Sequence, residues 1–347
     1  MKKANRVIGV AAAVFVVLLG LYAVSRPRGP VKVDSDYRIV MGTFAHVIAI
    51  APDEETGTAC IEAAFAAQRK VDELMSDYKD DSEISKVNRL AFEEPVAVSE
   101  ETFEVVRRAV EFSRLSEGAF DITVGPLVDL WRAAAEANEP PTEAALAEAQ
   151  SRVGYDKLIL DEDARTIRFA VKGMRLDLGG IAKGYAIDLS VSAMQEHGAL
   201  GGMVDIGGDI RCFGRAPQGQ DSWRIGLQDP NVAPDDLGDS DLVLVLEVED
   251  EAVTTSGDYR RFVLVGGKKE NHILDTHTGH GAATLASVTI IAPDATTADA
   301  LATTVSVLGA EKGLALVEGL DGVEAIVIPA ASNAQPAQTS GAAAFIK

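Results

Sequence analysis

The sequence predicts an α+β (mixed α/β) fold. Segments of helical and of strand periodicity follow one another irregularly, and pairs of apolar runs flank polar turns as hairpins do. The glycine pair in Met203-Val-Asp-Ile-Gly-Gly-Asp209 lacks the Gly-x-Gly-x-x-Gly spacing of a doubly wound, dinucleotide-binding sheet.

Taken in order, Thr43 to Ala51 reads as a strand. Glu55 to Met75 reads as a helix, because Ile61, Phe65, Val71 and Met75 fall along one stripe. Ser99 to Ser116 is a second helix, with Phe103, Val106 and Val110 on one face and Gly118 as its stop. Thr142 to Arg152 gives a third. Leu158-Ile-Leu and Thr166-Ile-Arg-Phe flank Asp161-Glu-Asp-Ala as a hairpin, and Met174 to Leu178 reads as a strand. A helix over Ala182 to His197 ends at Gly198. Strands follow at Met203–Ile206, Arg224–Leu227, Leu242–Val248 and Val288–Ile291, then a helix over Ala295 to Leu308 and a last strand at Val323–Ile328.

Three stretches divide the chain. Residues 1–30 are an apolar segment with a short linker, residues 31–330 a single large domain, and residues 331–347 a loose tail of small residues. Val7 to Val24 is an uninterrupted apolar run preceded by Lys2, Lys3 and Arg6, the pattern of a signal anchor or a signal peptide. Arg26-Pro27 directly after Ala23-Val-Ser25 disfavours cleavage. The favoured reading is an uncleaved inner-membrane anchor with the main domain on the periplasmic, extracytoplasmic side, and a cleaved secreted form is the alternative. With 47% hydrophobic residues the 347-residue chain can bury a large core, and its net charge of −21 repels phosphate backbones, which argues against nucleic-acid binding. Cys60 and Cys212 either pair, as an exported protein permits, or remain two buried thiols.

Asp299 and Thr303 stand four residues apart in a helical run, so their oxygens share a face. A carboxylate and a hydroxyl with no Cys or His beside them suit a hard cation such as Mg2+; taken alone, the pair also fits a solvated helix face. Leu176-Asp-Leu-Gly-Gly-Ile-Ala-Lys-Gly184 passes from a strand through paired glycines into a helix, where free amides attract phosphate and Lys183 adds charge. The same stretch fits a tight structural turn, and so does Met203 to Asp209. In Asn271-His-Ile-Leu-Asp-Thr-His-Thr-Gly279, His272 at a strand start is better fixed than His277 and suits a proton acceptor for a hydroxyl, against the reading of two solvated imidazoles. Tyr78 lies in a polar loop where it can stack on a flat ring or cap the core edge. Gly118-Ala-Phe-Asp121 turns into a strand and leaves Asp121 available to a polar ligand edge.

These stretches, together with Met41-Gly-Thr43, Ser76-Asp-Tyr78, Ser82-Glu-Ile-Ser85, Asp205-Ile-Gly-Gly-Asp209, Thr255-Ser-Gly-Asp-Tyr259, Thr278-Gly279 and Ala298-Asp-Ala-Leu-Ala-Thr303, resemble in sequence and order the FAD:protein FMN transferase (ApbE) family from Met41 to about Val327. The resemblance implies an extracytoplasmic, Mg2+-dependent enzyme that cleaves FAD, its substrate, releases AMP and esterifies FMN to a threonine of an acceptor protein. That acceptor is expected to be a subunit of an electron-transfer complex. By position, Ala182 (through its carbonyl), Asp299 and Thr303 hold Mg2+. Tyr78 stacks on the isoalloxazine. Met41, Ala119, Phe120, Asp121, Gly179, Lys183, Tyr185 and Ile273 line the FAD site, and His272 is the base. Many members are lipoproteins; this chain has no lipid-accepting Cys, so its membrane attachment differs. The alternatives are a Mg2+-dependent FAD pyrophosphatase, with water in place of threonine, and a non-catalytic FAD-binding protein.

Overall fold

The computed structural model describes residues 29–230, 232, 242–257, 262–331 and 335–347. Strands β1 (Val31–Asp34) and β2 (Arg38–Val40) lead into β3 (Thr43–Ala51), followed by α1 (Glu54–Met75), α2 (Glu83–Leu90), β4 (Val96–Ala97), α3 (Glu100–Leu115), α4 (Gly125–Ala137) and α5 (Glu143–Ser151). The hairpin β5 (Leu158–Asp161) and β6 (Thr166–Phe169) precedes α6 (Ala182–Glu196). Strands β7 (Gly201–Ile206), β8 (Asp209–Gly214), β9 (Trp223–Gln228), β10 (Leu242–Val248), β11 (Ala252–Gly257), β12 (Phe262–Val265), β13 (Lys268–Asn271) and β14 (Leu285–Ala292) come next. The chain closes with α7 (Ala295–Glu318), β15 (Glu324–Pro329) and β16 (Ala337–Gln338).

One nine-stranded sheet organises these elements, in the order β1-β3-β7-β8-β11-β14-β15-β16, with β2 also paired to β3. Every pairing in it is antiparallel. Both faces are covered. Alternation along β3 sends Ala45, Val47 and Ala49 into the main core with Ile61, Phe65, Ile187 and Leu301 of the helices. Ile48 and Ile50 point the other way, into a second core closed by Trp223, Ile225, Leu246 and Val248 of the β9–β10 hairpin. A large apolar side chain removed from water contributes about 1.5–3 kcal/mol, so a sheet buried on both faces is a stiff base for the loops at its ends. The helices start where the sequence offers caps: Asp53 accepts from Thr56 N at 2.8 Å, Ser99 from Thr102 N, and Asp294 from Thr297 N at 2.9 Å.

Several elements differ from the sequence expectation. Met174–Leu178 is extended but makes no ladder beyond a single parallel bridge from Arg175 to Val124. The Asn88 amide takes the place of a neighbouring strand: it donates to Leu176 O at 3.0 Å and accepts from Leu176 N at 2.7 Å. Gly118–Pro126 leads into α4, not a strand, because Pro126 suits a first helical turn that lacks intrahelical donors anyway. The helix expected to stop at Leu308 breaks at Gly309 (φ 75°) and resumes to Glu318. The tail expected to be loose is packed over residues 335–347. There β16 pairs with β15, Thr339 is 2% exposed, Ala342 joins the second core and Ile346 bridges to Leu246. A Cβ on Gly341 would run into the Glu324 side chain of β15, so a residue without a side chain fits there.

Cys60 and Cys212 are free buried thiols in separate cores, not a disulfide. Cys60 Sγ donates to Met194 O at 3.5 Å, and burial pushes both thiols above their ordinary range. Among the described residues one helix, α7, is long and apolar enough to cross a membrane, but it packs on β11 and β14 as a core helix. The apolar run Val7–Val24, on which the anchor reading rests, lies outside the described residues.

Candidate active site

The starts of α6 and α7 cross in close contact, and a glycine makes that possible. A Cβ on Gly184 would sit 2.1 Å from Ala295 O and 2.8 Å from Thr296 Cα, so any side chain there would force the helices apart. At this separation the Gly184 amide donates to Asp299 Oδ2 at 3.0 Å, and Lys183 Nζ donates to Asp299 Oδ1 at 3.1 Å and to Asp209 Oδ2. One turn further along α7, Thr303 faces the glycine pair before α6. Its Oγ1 lies 2.9 Å from where a Gly180 Cβ would stand. The backbone from Gly180 to Gly184, which includes Ala182, thus lies against both Asp299 and Thr303. Upstream, Asp177 Oδ1 accepts from Gly179 N at 2.8 Å and sets the turn.

This cluster carries concentrated charge. Asp299 and Asp209 are 2% and 3% exposed. Burial, partly opposed by Lys183, pushes the Asp209 carboxyl up to about 6. Burial alone lowers a lysine, but the two carboxylates override it and hold Lys183 above its ordinary range, so it is a cation at neutral pH. Asp209 also accepts from Thr255 N at 3.3 Å, and Thr255 Oγ1 lies 2.9 Å from Thr289 Oγ1. No group of three or more His, Cys, Asp or Glu suited to a metal occurs among the described residues. One turn from Asp299 stands instead the Thr303 hydroxyl, which faces the Gly180 backbone. An all-oxygen set with one carboxylate fits Mg2+, which takes few protein ligands and completes its shell with water and substrate phosphate. The Lys183 ammonium already places one positive charge at Asp299.

Asp209 opens β8 directly after a turn in which Gly207 (φ 67°) and Gly208 (φ 92°) are both left-handed. The hairpin turn at Met41 (φ 51°) and Gly42 (φ 71°) abuts it: Gly207 N donates to Phe44 O at 2.8 Å, and Thr43 Oγ1 lies 2.9 Å from where a Gly207 Cβ would be. Met41 is thus a non-glycine residue held in a strained region, a feature that concentrates at ligand sites.

The remaining expected residues fall on other loops, except Tyr185, which lies on α6. Asp121 is buried and fully engaged: Thr123 N (2.8 Å) and Thr123 Oγ1 (2.7 Å) share one oxygen and Tyr155 N (2.8 Å) takes the other. Its carboxylate braces the loop that presents Ala119 and Phe120, where the sequence reading had left it available to a ligand. Phe120 comes within 3.3 Å of the Gly180 Cβ position, which ties this loop to the glycine turn. Thr276 Oγ1 donates to Gly118 O at 2.9 Å and Trp131 Nε1 to Gly279 O at 2.7 Å, so the 272–279 loop packs on the 118–121 loop and on α4. His272 is exposed in a bend just after β13, not at the start of a strand, between Asn271 and the buried Ile273. Asn271 fixes that bend by accepting from Ile273 N and donating to Ala282 O. Tyr78 is 80% exposed; the Arg132 guanidinium stands 5.4 Å from its ring centroid and donates to its hydroxyl at 3.2 Å. The hydroxyl of half-buried Tyr185 is pushed up to about 12 by burial and by the acidic start of α3. Asp258 and Tyr259 lie outside the described residues.

Sequence reasoning did not find the partnership of Asp209 with Lys183, or Asp188 and Arg211, which flank the same helix crossing. The only signal for Asp188 was its place one turn after Gly184.

The Asp299 carboxylate and the Thr303 hydroxyl beside a glycine turn and a helix start are groups of the kind that suit a hard cation and a phosphate. The sequence profile of the ApbE family matches residues 41–327. The chain is 35% identical over 286 residues to the FAD:protein FMN transferase of Haemophilus influenzae, covering 80% of this chain and 81% of that one. It is 36% identical over 252 residues to the enzyme of the same name from Vibrio cholerae, covering 72% and 73%. The solved flavin transferase ApbE from Vibrio cholerae superposes with a TM-score of 0.77 at 30% identity, over 91% of this chain and 99% of that one. The chain belongs to the ApbE family, whose relatives named here are flavin transferases.

Replacing Lys183 with Met leaves Asp209 and Asp299 facing each other without a counter-charge. Breaking a buried pair costs roughly 3–5 kcal/mol, and the Lys183 side chain, 22% exposed, places the loss at the lower end. The variant should melt well below the wild type in metal-free buffer and gain more from added Mg2+ than the wild type does. Equal melting temperatures would show that the ion pair does not stabilise the fold, and an equal response to Mg2+ would show that Asp299 does not take the cation.

Proposed function

We propose that the protein is a Mg2+-dependent FAD:protein FMN transferase, which splits FAD and leaves FMN esterified to a threonine of an acceptor protein. The observation that carries this reading is the crossing of α6 and α7, which sets Asp299 and Thr303 against the Gly180–Gly184 backbone and Lys183.

Asp299, Thr303 and the Ala182 carbonyl are the residues proposed to hold Mg2+, which would neutralise the pyrophosphate and stabilise the charge that builds on departing AMP. Lys183 is close enough to follow that charge. The glycine turn lets the phosphates approach the backbone. Tyr185 on α6 and the loops bearing Met41, Tyr78, Ala119, Phe120, Gly179 and Ile273 are proposed to orient the dinucleotide, with Asp121 bracing the loop of Ala119 and Phe120. The acceptor threonine hydroxyl attacks the FMN-side phosphorus. The new O–P bond forms as the bond to the AMP oxygen breaks, and His272 takes the hydroxyl proton.

The direct test incubates the enzyme with FAD, Mg2+ and an acceptor domain, then measures the acceptor's mass and the AMP formed. Wild type should add one FMN unit per acceptor. Asp299→Ala should abolish both readouts. His272→Ala should keep FAD binding and lose transfer by a factor on the order of a hundred or more, with a residual rate that rises with pH as hydroxide replaces the imidazole. AMP release with no change in acceptor mass would sink transfer in favour of a pyrophosphatase. Normal transfer by the Asp299 or His272 variant would remove that residue from its role.

The catalytic domain is further proposed to lie outside the cytoplasm, tethered through the first thirty residues, since Lys2, Lys3 and Arg6 before the apolar run favour a cytoplasmic N-terminus. Protease added to intact spheroplasts should digest the domain. Its protection until lysis would reverse the topology.

A further inference from the structure

Asp188 lies on α6 one turn beyond Gly184, so the two residues face the start of α7 together. Its carboxylate accepts from Ala295 N and Thr296 N, each at 2.9 Å, and from Thr296 Oγ1 at 2.5 Å. Arg211 of β8 donates to the same carboxylate at 2.6 Å. These amides belong to the first turn of α7, where backbone donors have no intrahelical partner. That helix already has its own cap in Asp294, which accepts from Thr297 N and pairs with Arg108 at 2.9 Å. A second carboxylate, from another helix and with its own arginine, adds something a cap does not: it joins the two helices. Asp299 follows Ala295 by one turn and Thr303 by two. Ala182 opens the helix that carries Asp188.

We propose that Asp188 is a positioning residue for the cation site, latching the first turn of α7 onto α6 so that the oxygens of Asp299 and Thr303 stand in register with the backbone at Ala182. The proposal rests on the cation-site reading given above. Gly184 sets how close the helices come, and Asp188 sets where along their length they meet. An outer residue of this kind orients ligands without touching the metal, and its loss typically costs 10–100-fold in affinity or activity.

The test uses Asp188→Asn, which keeps the volume, removes the charge and turns an amide donor toward backbone N–H groups. Mn2+ binding without FAD, followed by the loss of the free-ion electron paramagnetic resonance signal, is the primary readout. Melting temperature in metal-free buffer and FMN transfer against Mg2+ concentration accompany it. The expected result is a rise in Mn2+ Kd on the order of tenfold or more, a matching rise in the Mg2+ needed for half-maximal transfer, and a rate at saturating Mg2+ within a few-fold of wild type. If Asp188→Asn does not fold, Thr296→Val removes one donor to the carboxylate and should shift the Mn2+ Kd in the same direction by less. Wild-type Mn2+ affinity in the variant that folds, with a lowered melting temperature, would reduce Asp188 to a structural residue and overturn the proposal. Asp299→Ala separates the two readings. Unchanged Mn2+ binding in that variant refutes the cation site itself, whereas lost binding there with normal binding in the Asp188 variant refutes only the latch.

Discussion

Two helix starts, α6 and α7, meet at a point where only a glycine fits, and the arrangement of the candidate site depends on that contact. The missing side chain at Gly184 lets a backbone amide reach Asp299 and buries the carboxylate. A buried carboxylate needs partners, because desolvation penalises its charge. Lys183 supplies one, and Lys183 in turn draws in Asp209 from the start of β8. Asp209 can stand there because the two preceding glycines turn the chain tightly between β7 and β8. One steric fact at Gly184 thus propagates into the charge distribution and the turn geometry of the site.

The sheet turns these local arrangements into a fixed constellation. Its antiparallel ladder places the Met41–Gly42 and Gly207–Gly208 turns side by side, because β3 and β7 are direct neighbours in register, with Ala45 opposite Ile206. The second core behind the sheet, closed by the β9–β10 hairpin and the C-terminal residues, removes freedom from the strands that carry those turns. The loops at 118–121 and 272–279 have no ladder of their own. Beyond the isolated bridge of Leu274 to Gly281, they are fixed by side chains that satisfy backbone groups, notably Asp121, Thr276, Trp131 and Asn271. A site assembled in this way can be rigid where the Gly180–Gly184 backbone meets Asp299 and open where Tyr78 is exposed.

Much of this was legible in the chain itself. The strand Thr43–Ala51 and the helix ending at Met75 follow from plain periodicity, and both occur with those boundaries at the legible ends. The Asp299–Thr303 face followed from helical spacing, and Gly179–Gly180 from the habit of glycines before a helix. Three things resisted. The Met174–Leu178 segment has strand composition but is paired by the Asn88 amide, and a partner 88 residues away leaves no periodic signal. The tail has the composition of a linker, yet small residues pack closely against β15 once it exists. Asp188 looks like an ordinary helix-surface acid, because its three donors and its arginine come from elements brought together only by the fold. Local pattern shows which residues repeat; it does not show which distant backbone groups lack partners.

The central claim is that the α6–α7 crossing is a cation site and not merely a buried ion pair. Anomalous diffraction from crystals grown with Mn2+ and FAD tests it most directly. The account predicts a peak within coordination distance of Asp299, Thr303 and the Ala182 carbonyl, with Lys183 moved off Asp299 toward the phosphates. A fully occupied Mn2+ elsewhere, with Lys183 still bonded to Asp299 beside bound FAD, would contradict it.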